Sequence, residues 1–482
     1  MSAPPDASGI PTENQSAESD SGAPSPRGAT GNDTAARASD KTGPSSARPD
    51  VEAAEIATVH SGPGMGTPQP TVIVRMADAG DVYMSWRWDG DIAPRGAAML
   101  PGDPIAEAVS ALADALPKPD APGGLERALT TGAFASPDAE YELAQSLSRA
   151  LLPYGLAVQL HELYTRGVRP HIRLQPSPRV AQVPWEIIAP DPALRLIDIA
   201  DVSLLAPAGV VHAPGRSARS WSADRELPVV GVFDPRVPGF RADSALGSVL
   251  GRMNGAGALA ERVAEHLARQ RLRPDPPEPV EVFRRTDLDR RWLSETLRAG
   301  ASRLIYVGHV TAAAPESGQS ESAELHLACA ADATGFAEPL RAHRPLSAKD
   351  LLLGTHTLHP EPVAGPDLWP IPSRVALIAC ESGGDLRFTE ALGLVAAMIN
   401  GGAELVTATR WPLPTDLAFQ RLAGATATPV QDLICAIDAA HDHPDPLYPL
   451  TTWHRTRLTT WRETGAIEHS PLLWSAIATF HT

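Results

Sequence analysis

Cysteine is scarce in this sequence: Cys329, Cys380 and Cys435 are its three thiols in 482 residues. Their wide spacing excludes a CxxC metal pattern and a disulfide framework, and it fits a reduced, cytosolic compartment. Long apolar runs are missing as well. The longest candidate, ALGLVAAMINGGAELV, is cut by Asn400-Gly401-Gly402, so no membrane span is expected. The opening MSAPPDASGI has neither a basic nor an apolar leader region, so it does not read as a secretory signal. A Lys/Arg-rich stripe is lacking too: 57 acidic against 41 basic residues leave a formal charge of −16. Phosphate binding needs local positive potential, so nucleic acid is not an expected partner. What is present is an apolar fraction of 43 %, enough for a packed body, in a chain longer than one hydrophobic core usually serves.

Residues 1–67 are rich in Ser, Pro, Gly and Ala, and apart from Met1 the first fifty contain one large apolar side chain, Ile10. Such a segment buries too little surface to offset its ordering entropy and reads as a disordered, low-complexity tail. The SGPGMG stretch at 61–66 is Gly-rich, but no strand precedes it and TPQP follows, so it reads as linker rather than a phosphate loop. Residues 68–154 read as a small α+β region. TVIVRM and DVYMSWRW form a hairpin about a turn at Asp78 to Gly80. Helices are expected over 104–116 and from Ser136-Pro137, an N-cap followed by proline.

From about 169 strands and helices alternate. HIRLQP, VPWEII, VVGVF (229–233), VEVFRR (280–285), RLIYVG (303–308), VALIA (375–379) and ELVTAT (404–409) read as strands. Helices are expected over 257–270, over 288–299 behind a Thr286-x-x-Asp289 start, and over 386–399. Apolar strands between helices imply a mostly parallel sheet covered on both faces. In such sheets reacting groups gather beyond the carboxyl ends of the strands. RLIYVG runs into Gly308-His309-Val310, and VALIA runs into Cys380-Glu381-Ser382. Neighbouring parallel strands therefore present an imidazole and a thiol at one edge. The imidazole activates the thiol, backbone amides beside Gly308, Val310 and Cys380 face a developing oxyanion, and the small residues nearby admit substrate. The competing reading is a buried core cysteine and a strand-end histidine bonded to backbone.

YVGHV at 306–310 followed by LIACESGG at 377–384 resembles the His-Gly and Ala-Cys-x-Thr/Ser-Gly pair of the CHAT domain, the bacterial branch of the caspase-like cysteine peptidases related to separase. VPWEII, VVGVFDP, ELHLACAAD, PLSAKDLLL, the 393–411 stretch and SPLLWSAIATF follow in the family's order, so the resemblance covers 155–482. It implies a caspase-like α/β/α sandwich and a cytosolic endopeptidase. Cys380 would be the nucleophile and His309 the acid–base partner, acting on a protein or peptide substrate in regulated signalling or defence, with a regulatory protein partner. Neither a cofactor nor a metal is implied, and membrane association is not expected. Glu381 and Ser382 are expected beside the substrate. Asp234, after the strand VVGVF, is expected to line the pocket for the residue before the scissile bond and to select Arg or Lys; ordinary Asp-Pro turn chemistry is the alternative.

Two positions depart from the family pattern. Its Thr is Ser382, and its Gly after the histidine is Val310. If the oxyanion-binding amide needs a Gly conformation, valine misaligns it, and losing one such donor costs about a hundred- to a thousandfold in rate. The alternatives are thus a weak or substrate-activated peptidase, an inactive pseudopeptidase serving as an interaction module, and another Cys-His acyl-transfer enzyme such as an amidase.

Overall fold

A computed structural model of the chain describes residues 69–482. The tail and linker expected at 1–67 lie outside the described residues. Eleven strands form one sheet in the order β3-β2-β1-β4-β5-β14-β13-β12-β8-β6-β7. These are β1 (Thr71–Ala79), β2 (Asp81–Trp88), β3 (Gly96–Leu100), β4 (His171–Gln175), β5 (Asp201–Leu205), β6 (Val229–Phe233), β7 (Leu272–Arg273), β8 (Arg303–Val307), β12 (Arg374–Ile378), β13 (Leu405–Thr409) and β14 (Ile477–His481). Three short strands, β9 (Val310–Thr311), β10 (Glu324–Leu325) and β11 (Leu346–Ser347), form a separate antiparallel sheet.

The large sheet has two parallel halves. Strands β6, β7, β8, β12 and β13 run one way, β14 pairs antiparallel with β13, and β5, β4 and β1 run parallel to β14. Every residue of β6, β8, β12 and β13 is buried, the signature of strands covered on both faces. By contrast, β1 and β2 alternate buried and exposed residues over much of their length and keep one face wet. The hairpin closes at Gly80, whose φ of +82° suits glycine. Residues 69–154 do not stand apart from the rest: β1 pairs in parallel with β4, with Val72 opposite Ile172 and Val74 opposite Leu174. Ser136 caps the Pro137–Leu151 helix as expected, accepting from the Ala139 amide at 3.3 Å.

Four local expectations need correction. Residues 280–285 are not a strand. Pro279 lacks an N–H and opens a 3₁₀ turn, Pro279–Val282, leaving Phe283 a single bridge to Phe233, while Leu272–Arg273 takes the edge position. VPWEII is likewise a 3₁₀ turn, Trp185–Ile187, entered through Pro184. The helix after Asp289 starts at Arg290 with Asp289 itself as N-cap, accepting from the Trp292 amide at 2.7 Å, so Thr286 caps nothing there. The 386–399 helix shortens to Leu394–Asn400. Asp385 accepts from the Val395 and Ala396 amides at its start, and any Cβ on Gly393 would lie 2.6 Å from the Asp385 carboxylate.

Candidate active site

The register of two strands builds the site. Val307 of β8 pairs with Ile378 of β12, so His309 and Cys380 each lie two residues past a matched pair, at one edge of the sheet. Phe233 of β6 pairs with Val307 and brings Asp234 to the same edge. All three strands are parallel, as expected. His309 and Cys380 open into one cavity of about 790 Å³.

The His309 backbone is held from below. The Tyr306 hydroxyl donates to the His309 carbonyl at 2.6 Å and lies 3.1 Å from that of His326. A Cβ on Gly308 would come within 2.7 Å of that hydroxyl, so glycine there permits close packing over Tyr306. Beyond it β9 pairs with β10, and the His326 amide donates to the His309 carbonyl at 3.1 Å. Buried side chains stiffen this support: His326 contacts the Thr311 hydroxyl at 2.8 Å and His343 at 3.2 Å, and His343 contacts the Cys329 carbonyl at 2.9 Å. Burial pushes His326 down to about 3 and also lowers His343, so both rings are neutral near pH 7.

Val310 is not strained. The non-glycine residues with positive φ include Asp234 and Glu381, each at 51°, but not Val310. Its backbone is ordinary strand, and its side chain is buried in the cavity wall. Hydrogen bonding at the His309–His326 pair makes Val310–Leu325 the alternate, unbonded pair, so the Val310 amide turns away from β10. Valine therefore sits here without backbone strain, its amide in ordinary strand geometry rather than in a glycine conformation.

Glu381 takes the backbone strain at the other strand end, where left-handed φ lets the chain reverse after Cys380. Its carboxylate accepts from Gln182 at 3.1 Å and pairs with Arg387, and it lines the cavity. Gln182 also donates to the Arg410 carbonyl, and Glu186 pairs with Arg410 at 2.9 Å. Gln182, just before VPWEII, thus buttresses the turn that carries the thiol, and Glu186 within it anchors Arg410 behind that contact. Ser382, expected beside substrate, is 1 % exposed. Its hydroxyl donates to the Leu377 carbonyl and accepts from the Thr409 amide, so it locks the turn; it borders a small pocket beside Glu381 and Arg387 rather than the large cavity itself.

Asp234 also departs from expectation. It is 1 % exposed and does not line the cavity. Its carboxylate accepts from the Ser248 hydroxyl at 2.5 Å, from the Val249 and Leu250 amides at 3.1 and 3.4 Å, and from Arg284 at 3.2 Å. The turn alternative is the better description, widened to a loop: Asp234 pins residues 248–250. Arg284 donates to the Gly247 carbonyl at 2.8 Å, and that carbonyl lies 3.2 Å from His309 Nε2. A carbonyl only accepts, so Nε2 carries the proton and Nδ1 is the free base.

Burial disfavours the charged form of both His309 and Cys380. Burial lowers His309, opposed by the Gly247 carbonyl and Asp234 and assisted by Arg284. Burial raises the Cys380 thiol, against a Leu413 amide facing the sulfur, and Glu381 and Asp120 push it further up. No hydrogen bond joins the two side chains among the described contacts. Tyr306, Gly247, Leu413 and Asp120 were not singled out by sequence reasoning; Tyr306 is a local neighbour of His309 on β8, while tertiary packing brings the other three here. Among the described residues no cluster of three His, Cys, Asp or Glu side chains could hold a metal, and no helix is long and apolar enough to cross a membrane.

Comparison with curated proteins finds no match. Among solved structures, two of the Saccharomyces cerevisiae separase–securin complex align with TM-scores of 0.40 and 0.39 at 10 % identity. They cover 86 % and 85 % of this chain, which spans 30 % of the chain it matches in each. The family model of the CHAT domain matches residues 141–479, well over half of the sequence, and the chain belongs to the CHAT domain family.

Proposed function

We propose that this protein is a caspase-like cysteine endopeptidase in which Cys380 and His309 act as the dyad. The observation that carries the reading is the matched register of β8 and β12, which opens an imidazole and a thiol into one cavity. His309 Nδ1 takes the thiol proton as Cys380 Sγ attacks the scissile carbonyl. The tetrahedral intermediate collapses to a thioester, and His309 returns the proton to the leaving amine. Water, deprotonated by His309, then cleaves the thioester and restores the thiol. The Val310 amide, free of the β9–β10 ladder, is the oxyanion donor.

Two neutral partners with no hydrogen bond between them describe a slow resting enzyme that substrate must bring together. The substrate is a protein or peptide segment, and a thiol nucleophile suits a reducing, cytosolic compartment. The same raised thiol favours the second reading, an inactive pseudopeptidase that binds partners through this edge.

An activated peptide probe tests the reading. Stoichiometric labelling of Cys380 that is lost in His309→Ala, together with peptide hydrolysis lost in Cys380→Ala, is the expected result. Labelling that persists at the same rate in His309→Ala removes the dyad.

A further inference from the structure

The cavity beside the dyad has a lining that the dyad does not explain. Leu246, Val249 and Leu250 form one wall, and Leu125, Leu413 and Val430 complete it. Charge in the lining is already balanced or peripheral. Glu381 and Arg387 neutralise each other, and Asp120 lies on an exposed loop at the edge. The wall at 246–250 is apolar for a structural reason. Its polar donors, the Ser248 hydroxyl and the Val249 and Leu250 amides, all point to Asp234, so the wall turns aliphatic side chains toward the cavity. The carboxylate that would have selected a basic residue is the one that builds this wall.

We infer that the cavity takes an aliphatic side chain of the substrate, of leucine or methionine size, and directs cleavage beside an apolar residue rather than a basic or acidic one. The inference rests on the peptidase reading and deepens it. About 790 Å³ is within the usual range for a small-ligand site and holds such a side chain with flanking backbone. Burying a leucine side chain in an aliphatic wall favours it by roughly ten- to a hundredfold. A carboxylate in the same place loses water and meets the like charge of Asp120, and a guanidinium pairs at best with Asp120 on the exposed rim, where water screens the attraction. Leu125 and Asp120 belong to residues 69–154, so a segment mostly outside the family match helps define specificity.

The test uses three peptide chloromethyl ketones that differ only in the residue beside the warhead: Leu, Arg or Asp. The rate of Cys380 modification is read by mass spectrometry on the full chain. The Leu probe is expected to react at least tenfold faster than either charged probe, and Val249→Asp is expected to shrink the Leu-to-Arg ratio by about tenfold. An Arg or Asp probe as fast as Leu overturns the inference. If none of the three labels Cys380 while iodoacetamide does, the peptidase reading falls. The cavity is then judged by anisotropy of the same peptides as amides, on Cys380→Ser protein. Tenfold tighter binding of the Leu peptide sustains it, and equal binding of all three overturns it.

Discussion

Removing the Asp234 carboxylate separates two accounts of that residue. In Asp234→Ala the Ser248 hydroxyl, the Val249 and Leu250 amides and the Arg284 guanidinium lose a common acceptor. Breaking a buried ion pair from one side costs about 3–5 kcal/mol. Arg284 keeps 23 % exposure and can turn partly to water, which favours the lower end, about 3 kcal/mol. With unfolding entropy of roughly 2.1 cal/mol/K per residue over about 400 residues, the Tm falls by roughly 3–4 °C. The catalytic effect follows from the same loop. Once residues 247–250 loosen, the Gly247 carbonyl no longer holds His309 Nε2, and misplacing the imidazole lowers kcat by about ten- to a hundredfold. The loss falls on every peptide and is largest for Leu, because Asp234 holds both the carbonyl behind His309 and the aliphatic wall at Val249 and Leu250 while touching no substrate itself. Asp234→Asn keeps the shape but turns amide protons against backbone donors, so it recovers little. Scanning calorimetry beside hydrolysis of peptides carrying Leu, Arg or Asp at the cleavage position reads both effects. An unchanged Tm with loss confined to Arg peptides refutes the reasoning and returns Asp234 to the pocket.

Val310→Gly is expected to lower stability by about 2–3 kcal/mol, from lost burial and strand entropy, without raising turnover, because valine already takes ordinary strand φ. A rise in turnover would show that a left-handed amide is needed there. The pH dependence of Cys380 alkylation follows from its raised thiol. A raised pKa means less thiolate at neutral pH than in a free cysteine, so the rate should keep climbing with pH through the neutral range and level off only at a higher pH than a free cysteine does. His309, lowered by burial, is neutral over that range and adds no step. A plateau reached below about pH 7 would indicate a preformed thiolate–imidazolium pair and contradict the neutral resting state.

Much of the architecture was legible because its causes are local. VVGVF, RLIYVG, VALIA and ELVTAT are short apolar runs ended by small or polar residues, and each is a fully buried strand. Strand ends are local too, which is why His309 and Cys380 stood out, and parallel pairing then carried both to one edge. Failures came where a proline or a distant side chain decided the backbone. VEVFRR has strand composition, but Pro279 directs it into a turn. The 386–399 run has helical spacing, but Asp385 reaches across Gly393 and starts the helix eight residues late, at Leu394.

The sequence alone determined the alternating strand and helix order and the placing of a thiol and an imidazole at strand ends, since side-chain period and chain termination depend on near neighbours. Tertiary structure alone decided what surrounds them. Asp234 left the pocket because its acceptors found donors fourteen to fifty residues away, at Ser248 and Arg284. Val310 escaped strain because β10 fixed its backbone, and the 69–154 segment joined the cavity because β1 paired with β4. The opposite shifts of His309 and Cys380 also belong to the fold, because desolvation depends on everything packed around a group and not on the residues beside it in the chain.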